Sequence, residues 1–444
     1  MLRAMLNRIW LGLLLVGVVL AGINNRFGPA TEMALGNAGA AVNLSIGLVG
    51  VMTLWLGLMR LAEKSGLVST LARGLRPLLV RLFPDVPADH PAMGSMLLNL
   101  AANLLGLNNA ATPLGLRAMR DLESLNRRPG TATDAMCTLL ALNTGGVQLV
   151  PVGAIALLAA QGSHNPTAII GTTLLTTATS ATIGLVTVKL LARLPWFRLG
   201  PVPAAANGQA TPTDPASSAE PPAAAPETTT HRPWGTPAVV ALALFFAFVA
   251  VRFVAQPDAA EALRPVWLRT IDALSLLAVP FLLSFFPLHA AARGIAVYSE
   301  FIEGAKEGFQ TSVRIIPYLV GMLVAIGFLR GSGGIDLLGR VAAPLLGAIG
   351  YPPELLPMTL LRPLTGSGAL AALGELAKTH GPDSLLARTG ATLYGGTETT
   401  FYVIAVYFGS VGIRRTRHAV WAGLAADAGG ALAAVIACRW VFGK

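Results

Sequence analysis

The sequence has few charged residues and almost no cysteine. Only 12% of its 444 residues are charged, against roughly 25% in a soluble domain. The two cysteines, Cys137 and Cys438, fall in apolar stretches and form no disulfide framework. The six histidines are scattered, and no zinc-ligand spacing, phosphate-binding loop or nucleophile elbow occurs. These absences argue against an enzyme, a metal centre and an organic cofactor.

Long apolar runs dominate what is present. The chain is 54% hydrophobic, and several uncharged runs reach the roughly 20 residues that a helix needs to cross a bilayer. The composition predicts an all-α polytopic membrane protein, embedded in the lipid bilayer of a bacterial cytoplasmic (inner) membrane. The predicted spans are 7–24, 41–62, 131–160, 165–190, 235–254, 266–288, 313–329, 389–412 and 418–440. No small-residue cleavage site follows the first run, which favours an uncleaved helix over a signal peptide.

A segment rich in proline, alanine and threonine divides the chain. Residues 199–233 contain few large apolar side chains, a composition typical of a flexible linker. The predicted organisation is one unit over 1–198, a linker over 199–233 and a second unit over 234–444. The net charge of +10 resides largely in short loops, as the positive-inside rule requires. It therefore indicates a cytoplasmic N-terminus and linker, and no nucleic-acid partner.

The two units share a sequence pattern. Gly66 and Arg73 recur as Gly333 and Arg340 at an offset of 267, each within an amphipathic stretch (67–83 and 335–349). Further on, Gly145-Gly146 recurs as Gly395-Gly396 at an offset of 250. The shared order of elements predicts an internal repeat. Each repeat would contain an amphipathic helix, a hairpin and a transmembrane helix broken at its glycine pair.

The apolar stretch 92–119 has arginines on both flanks. We expect it to enter the membrane and return as a re-entrant hairpin with its tip at Gly106–Asn109; the alternative is one spanning helix. Each arm would have about 14 residues and a length of about 21 Å, short of the ~30 Å core. A second hairpin is expected over 354–376, with its tip near Leu364–Gly368. The five predicted spans between the hairpins give the repeats inverted topology.

Polar residues at the glycine pairs and hairpin tips are the candidate binding residues. Interrupted hydrophobic segments at matching places in two halves indicate a transporter's substrate site, because unwound backbone exposes carbonyl and amide groups. Close helix packing is the alternative role of the glycines. The candidate solute- and ion-binding residues are Asn108, Asn109, Asn143, Thr144, Gly145, Gly146, Gln148, Arg362, Thr365, Ser367, Gly395, Gly396, Thr397, Glu398 and Thr399.

Glu398 is the leading residue of this set. An isolated charge in the middle of a span costs several kcal/mol, so the carboxyl is expected to be paired, protonated or exposed to water. It could carry a coupling Na⁺ or H⁺, or bind a polar group of the solute. The alternative is a structural ion pair with Arg362.

Certain segments resemble a known family. Residues 99–119 and 134–151 resemble the spore maturation protein A family, and residues 360–370 and 394–409 resemble spore maturation protein B. On this resemblance the chain is a fusion of the two, within the nucleoside-recognition (Gate) domain superfamily. That superfamily includes concentrative nucleoside carriers and the membrane part of the ferrous iron transporter. The resemblance implies two re-entrant hairpins and two broken helices around a central site.

These patterns together predict a secondary transporter or exchanger of a small polar solute. The solute would be nucleoside-like, amino-acid-like or a carboxylate, and Na⁺ or H⁺ would be the coupling ion, with alternating access around the paired broken helices. The absence of a Cys- or Met-rich pathway and of a GTPase domain argues against iron. The alternative is a membrane scaffold for envelope or spore maturation that transports nothing. A homo-oligomer is possible in either case.

Overall fold

The computed structural model describes residues 2–106, 108–198, 232–256 and 265–443. Within these ranges the secondary structure is helical, with one isolated β-bridge between Thr131 and Arg415. The helices of the first half are α1 (Leu2–Ile23), α2 (Phe27–Lys64), α3 (Leu67–Leu82), α4 (Pro91–Leu104), α5 (Asn108–Glu123), α6 (Asp134–Gly145), α7 (Val152–Ala160) and α8 (Ile169–Arg193). Those of the second half are α9 (Gly235–Ala255), α10 (Val266–Ala292), α11 (Val297–Gly331), α12 (Gly334–Ala348), α13 (Leu356–Leu361), α14 (Gly366–His380), α15 (Leu385–Gly396), α16 (Thr400–Ser410) and α17 (Ala419–Phe442).

Six of the described helices are long and apolar enough to cross a membrane. They are α2, α8 with its preceding turn, α9, α10, α11 and α17, and each coincides with a predicted span. The prediction of an all-α membrane protein is confirmed. Helix α9 exposes Leu244, Phe245 and Phe248, an apolar surface that suits lipid and not water.

Three predicted spans are not among these six helices. The first falls in α1, in which Trp10–Ile23 is an apolar helix of fewer than 18 residues. The other two are interrupted at the glycine pairs. Helix α6 ends at Gly145, and Gly146 adopts a left-handed conformation (φ 52°) that terminates the helix. Helix α15 ends at Gly396, and Thr397 is extended (φ −141°).

Helices α4 and α5 form a hairpin. Asn99 Nδ2 on α4 donates a hydrogen bond of 2.8 Å to the Ala111 carbonyl on α5, and Ser95 bonds to Asp121 further along the arms. The chain therefore turns back near Gly106 and does not continue as one helix. Helix α4 has 14 residues and a length of about 21 Å. The entry of this hairpin and of α13–α14 into the membrane, and the inversion of the second repeat, stay predictions.

The two amphipathic helices begin alike. Helices α3 and α12 each follow a left-handed glycine, Gly66 (φ 72°) and Gly333 (φ 84°). Each also contains an internal proline, Pro77 in α3 and Pro344 in α12. Residues that correspond at the offset of 267 thus have the same local structure. Glycine is favoured at the start of both helices because it adopts positive φ without steric cost.

The two halves pack tightly along α2 and α11. A Cβ atom at Gly304 would lie 2.5 Å from the Leu56 carbonyl oxygen, and one at Gly308 would lie 2.6 Å from that of Met52. The backbones approach this closely only because the α11 residues are glycine. A second contact joins α8 to α17, where Ser180 Oγ donates to the Ala426 carbonyl at 2.9 Å. Both contacts bring the two broken helices into one buried region.

Candidate binding site at the broken helices

The first break, which follows α6 at Gly145-Gly146, contacts the second break, which follows α15 at Gly395-Gly396. The backbone amide of Glu398 donates to the Thr144 carbonyl at 2.8 Å. Gln148 Nε2 donates to Glu398 Oε1 at 2.7 Å. A Cβ atom at Gly146 would lie 2.9 Å from Glu398 Cγ, so this glycine provides both the positive φ and the room for the carboxylate chain.

Arg362 holds the second break in place. Its guanidinium donates to the Tyr394 carbonyl at 2.9 Å, to the Thr397 carbonyl and to Thr399 Oγ1 at 3.0 Å. It also lies 4.8 Å from the centroid of the Tyr394 ring, within the range of a cation–π interaction. The terminal carbonyls of α15 lack helical partners and carry partial negative charge. A buried cation at this position therefore stabilises the helix end.

The predicted Arg362–Glu398 ion pair is present but long. The nearest nitrogen–oxygen distance is 3.8 Å, and the side chains are 5% and 28% exposed, respectively. The donors of Arg362 are directed mainly at backbone carbonyls and Thr399. Glu398 is thus the exposed charged group of the two, and its Oε1 already accepts from Gln148.

A cavity of about 510 Å³ reaches these residues from between the two halves. Its volume falls in the range of small-molecule sites. The inner end has polar groups from both breaks and the second hairpin, and apolar side chains of α2 and α11 form part of the wall. The polar lining at this end includes Gln148, Arg362, Ser367, Glu398, Thr399 and Tyr402. The apolar lining includes Leu48, Met52, Ile315, Leu319 and Leu370.

Charged residues of both halves line another part of the same cavity, among them Arg60, Glu63 and Glu307. Arg60 Nε lies 2.8 Å from Glu300 Oε2, and its Nη1 lies 3.1 Å from Glu307 Oε1. These two pairs bridge α2 to α11, and therefore join the first half to the second. The sequence analysis did not single them out.

The structure brings part of the candidate set to the cavity. Gln148, Arg362, Ser367, Gly395, Glu398 and Thr399 line it. The residues outside that lining are Asn143, Thr144, Gly145, Gly146, Thr365, Gly396 and Thr397. The side chains of Asn108 and Asn109 lie outside the described part of the structure. Thr365 caps α14, since its Oγ1 accepts from the Gly368 amide at 3.2 Å.

The glycine pairs serve close packing as well as helix termination. A Cβ atom at Gly145 would lie 2.6 Å from Ala181 Cα. Nearby, Thr177 Oγ1 donates to the Gly145 carbonyl at 3.1 Å and to the Gly146 carbonyl at 2.6 Å. Helix α8 thus provides a hydroxyl that satisfies the terminal carbonyls of α6. Both roles considered for the glycines occur together.

Asn143 belongs to a separate hydrogen-bond network. Its Oδ1 accepts from Asn103 Nδ2 at 2.6 Å and from the Tyr407 hydroxyl at 3.2 Å. Its Nδ2 donates to Asn99 Oδ1 at 3.0 Å. The network ties the first hairpin to α6 and to α16 of the other half. Sequence reasoning missed Asn99 and Tyr407, although Asn99 precedes Asn103 by one helical turn and so shares its face.

Sequence reasoning also missed Asp427. This carboxylate lies within α17, is 7% exposed, and accepts a hydrogen bond of 2.5 Å at Oδ2 from Thr400 Oγ1. Its Oδ1 is buried and has no hydrogen-bond partner among the described residues. The signal was present in the sequence, because Asp427 is the only acidic residue of the span 418–440. Ionisable residues within membrane spans are rare and usually functional.

Comparisons with known proteins agree with this architecture. The Gate family model, described as "Nucleoside recognition", matches residues 45–192 and 312–414, more than half of the chain. Spore maturation protein A of Bacillus subtilis (strain 168) is 44% identical over 176 residues, which are 40% of this chain and 90% of that protein. Spore maturation protein B of the same organism is 41% identical over 174 residues, 39% of this chain and 98% of that protein. No solved structure matches the chain.

Each of the two relatives is covered almost entirely, while each accounts for less than half of this chain. That pattern is consistent with a fusion of two proteins. The matched family regions flank the predicted linker, 199–233, on both sides. The chain belongs to the Gate (nucleoside recognition) family and is homologous to the Bacillus spore maturation proteins A and B.

Proposed function

We propose that the protein is a secondary transporter or exchanger of a small polar solute in the inner membrane. The observation that carries the proposal is the cavity of about 510 Å³ between the halves, which reaches Glu398 at the contact of the two broken helices. Two interrupted helices around a buried polar site are the arrangement from which alternating-access carriers are built. A scaffold protein has no need for a cavity that contains a partly exposed carboxylate.

The chemistry of the lining favours a solute with hydroxyl or amine groups over a carboxylate. Both terminal nitrogens of Arg362 bond to carbonyls or to Thr399, and its Nε, which has no hydrogen-bond partner among the described residues, is buried. The cation therefore has little exposed capacity left for an anionic solute. Glu398 is the more exposed charged group of the Arg362–Glu398 pair and is an acceptor when ionised. Ser367 and Thr399 add hydroxyls, and the wall of Leu48, Met52 and Ile315 suits an apolar or planar body. A nucleoside-like molecule meets all of these requirements.

The contact between the breaks supplies a mechanism for alternating access. Gln148 belongs to the first half and Glu398 to the second, and their hydrogen bond spans the two. A rocking motion of one half against the other would break this bond and open the inner end of the cavity. The Arg60 pairs with Glu300 and Glu307 cross the same boundary at another part of the cavity. Closing one contact while opening the other exposes the site to one side at a time.

Counterflow in proteoliposomes tests the proposal without assuming a coupling ion. Vesicles preloaded with an unlabelled solute would be assayed for exchange with its radiolabelled form, using uridine, adenosine, alanine and succinate. We expect saturable exchange of at least one hydroxyl- or amine-bearing solute, with loss in Glu398→Gln. The matched control is Glu375→Gln, which also removes an Arg-paired carboxylate but lies outside the cavity lining.

If no solute of the panel exchanges although the purified protein is folded, the transport proposal fails and the scaffold alternative is favoured. Equal loss of exchange in the Glu375→Gln control would show that the effect is one of stability. Exchange of succinate alone would contradict the preference argued from Arg362.

A further inference from the structure

We propose that Asp427 is a proton-carrying carboxyl that couples proton binding to the solute site, separate from Glu398. The inference rests on the proposed transport function and names its coupling ion and coupling residue. It starts from the placement of Asp427 within α17, a helix long and apolar enough to cross the membrane. The carboxyl is 7% exposed.

The hydrogen bonds of Asp427 fit a neutral acid better than a carboxylate. One oxygen, Oδ2, accepts from Thr400 Oγ1 at 2.5 Å. The other, Oδ1, is buried without a hydrogen-bond partner in the described structure. A carboxylate has about four lone-pair sites to satisfy, and a charge in a low-dielectric interior with a single donor is costly. A proton on Oδ1 removes that charge and leaves the Thr400 bond intact.

The described surroundings supply hydroxyls, and no cation there forms an ion pair with Asp427. Gly423 and Gly430 lie on the same face of α17 as Asp427, one turn before and after it. Cβ atoms at these glycines would contact Thr400 and Thr397, respectively. The hydroxyl of Thr144 near Gly423 is itself buried without a partner among the described residues. The carboxyl therefore faces the second break and the end of the first.

Two charged groups act on Asp427 from the packed elements. Arg362 and Glu398 both lie close enough for an electrostatic interaction, with opposite signs. Other charged side chains on the helices around α17 are exposed, as is Arg193 at the end of α8, or occupied elsewhere. On α8, Lys189 donates to the Leu82 carbonyl, on α15 Arg388 pairs with Asp383, and on α6 Asp134 pairs with Arg417. A change in the charge of Asp427 therefore acts mainly on Arg362 and Glu398, which belong to the solute site.

A short stretch of backbone links the two carboxyls. Thr400 bonds to Asp427, Thr399 bonds to Arg362, and Glu398 bonds to Gln148, so three consecutive residues connect the proton site to the solute site. Proton transfer is a simple exchange in which Asp427 Oδ1 takes one proton from water and later returns one. When Asp427 ionises, it needs further hydrogen-bond donors. The nearest backbone that could move to supply them is that of the second break.

Infrared difference spectroscopy tests this inference without any solute. Purified protein in nanodiscs would be titrated from neutral to alkaline pH, with the carbonyl-stretch band of a neutral carboxyl as the readout. We expect the wild type to show this band at neutral pH and to lose it on alkalisation. The band should be absent from Asp427→Asn, whose side chain has the shape of a protonated Asp, and retained by Glu398→Gln. In Thr400→Val the band should shift to higher frequency, because the bond to the hydroxyl is lost.

Absence of the band in the wild type, or its persistence in Asp427→Asn, would overturn the inference. If Asp427→Asn does not fold, an unshifted band in Thr400→Val would overturn it equally. Depletion of the band when NaCl replaces choline chloride at constant pH would identify a sodium site and overturn the assignment to a proton. If the band is missing but counterflow occurs, this inference fails and the transport proposal stands. If the band is present but no solute undergoes counterflow, the transport proposal fails, and the coupling role of Asp427 fails with it.

Discussion

Gln148 Nε2 donates a 2.7 Å hydrogen bond to Glu398 Oε1, and these two residues occupy the same position in the two halves of the sequence, 250 residues apart. Counterparts in two related halves meet only near the axis that relates the halves. The adjacent contact, between the Glu398 amide and the Thr144 carbonyl, lies at the same place. In the proposed inverted repeat, a site on such an axis would present equivalent faces to both sides of the membrane, as alternating access requires.

Arg362 should matter more to stability than Glu398. Its guanidinium satisfies the Tyr394 and Thr397 carbonyls as well as Thr399, and hydrogen bonds to charged groups contribute about 1.5–3 kcal/mol each. We expect Arg362→Gln to lower the free energy of unfolding by about 3 kcal/mol or more, and Glu398→Gln by about 1 kcal/mol. Denaturant unfolding in detergent measures both. Arg362→Lys, which keeps the charge but not the planar fork, should recover only part of the loss.

Equal losses in Arg362→Gln and Glu398→Gln, with strong coupling in the double variant, would mean that the two residues act chiefly as an ion pair. The separation of 3.8 Å argues for weak coupling.

Gly146 should resist substitution where an exposed helical glycine does not. Its φ of 52° is unfavourable for alanine, and an added Cβ would lie 2.9 Å from Glu398 Cγ. We expect Gly146→Ala to destabilise the protein by about 1–2 kcal/mol and to weaken solute binding. The matched control is Gly50→Ala, since nothing lies within 4 Å of a Cβ atom there and alanine favours a helix by up to about 1 kcal/mol. Similar melting temperatures for the two variants would contradict the role assigned to Gly146.

His418 should make stability depend on pH. The ring is buried beside Phe197, at a centroid distance of 5.7 Å, and neither nitrogen has a hydrogen-bond partner among the described residues. Burial, aided by Arg417, lowers the pKa of His418 to about 4 from 6.5. Between these two values the unfolded chain binds a proton that the folded protein excludes. The contribution of His418 to stability is therefore fully present above pH 6.5 and is lost as the pH falls towards 4.

Melting temperatures at pH 7 and pH 5 measure this effect. We expect His418→Phe to reduce the loss on acidification, because phenylalanine fills the same space beside Phe197 and takes up no proton. His380→Phe, a change at an exposed histidine of α14, should leave the loss unchanged. A pH dependence that survives in His418→Phe would show that other groups cause it.

The sequence predicted the broken helices because each glycine pair lies among polar residues within an apolar run, where glycine favours unwinding. It placed the breaks at the pairs Gly145-Gly146 and Gly395-Gly396, and in the structure α6 ends at Gly145 and α15 at Gly396. Six predicted spans also coincide with helices of sufficient length and hydropathy. Both signals are local, since they depend only on residue type and spacing along the chain.

Contacts between the halves could not be predicted in the same way. Asn99 meets Tyr407 across 308 residues, and Arg362 binds carbonyls whose exposure depends on how α15 ends. Such pairings follow from packing. Asp427 is different, because a lone acid in an apolar span is visible in the sequence. Its importance emerged only when the structure placed it against Thr400.

Thermal stabilisation of the purified protein by a panel of nucleosides, amino acids and small carboxylates tests the central claim most directly. A ligand that binds only the folded state raises the melting temperature by mass action. The account predicts that a hydroxyl- or amine-bearing solute, nucleosides first, raises the melting temperature of the wild type and of Glu375→Gln but not that of Glu398→Gln. A shift of equal size in Glu398→Gln would contradict it, because the solute would then bind somewhere other than the contact of the two broken helices.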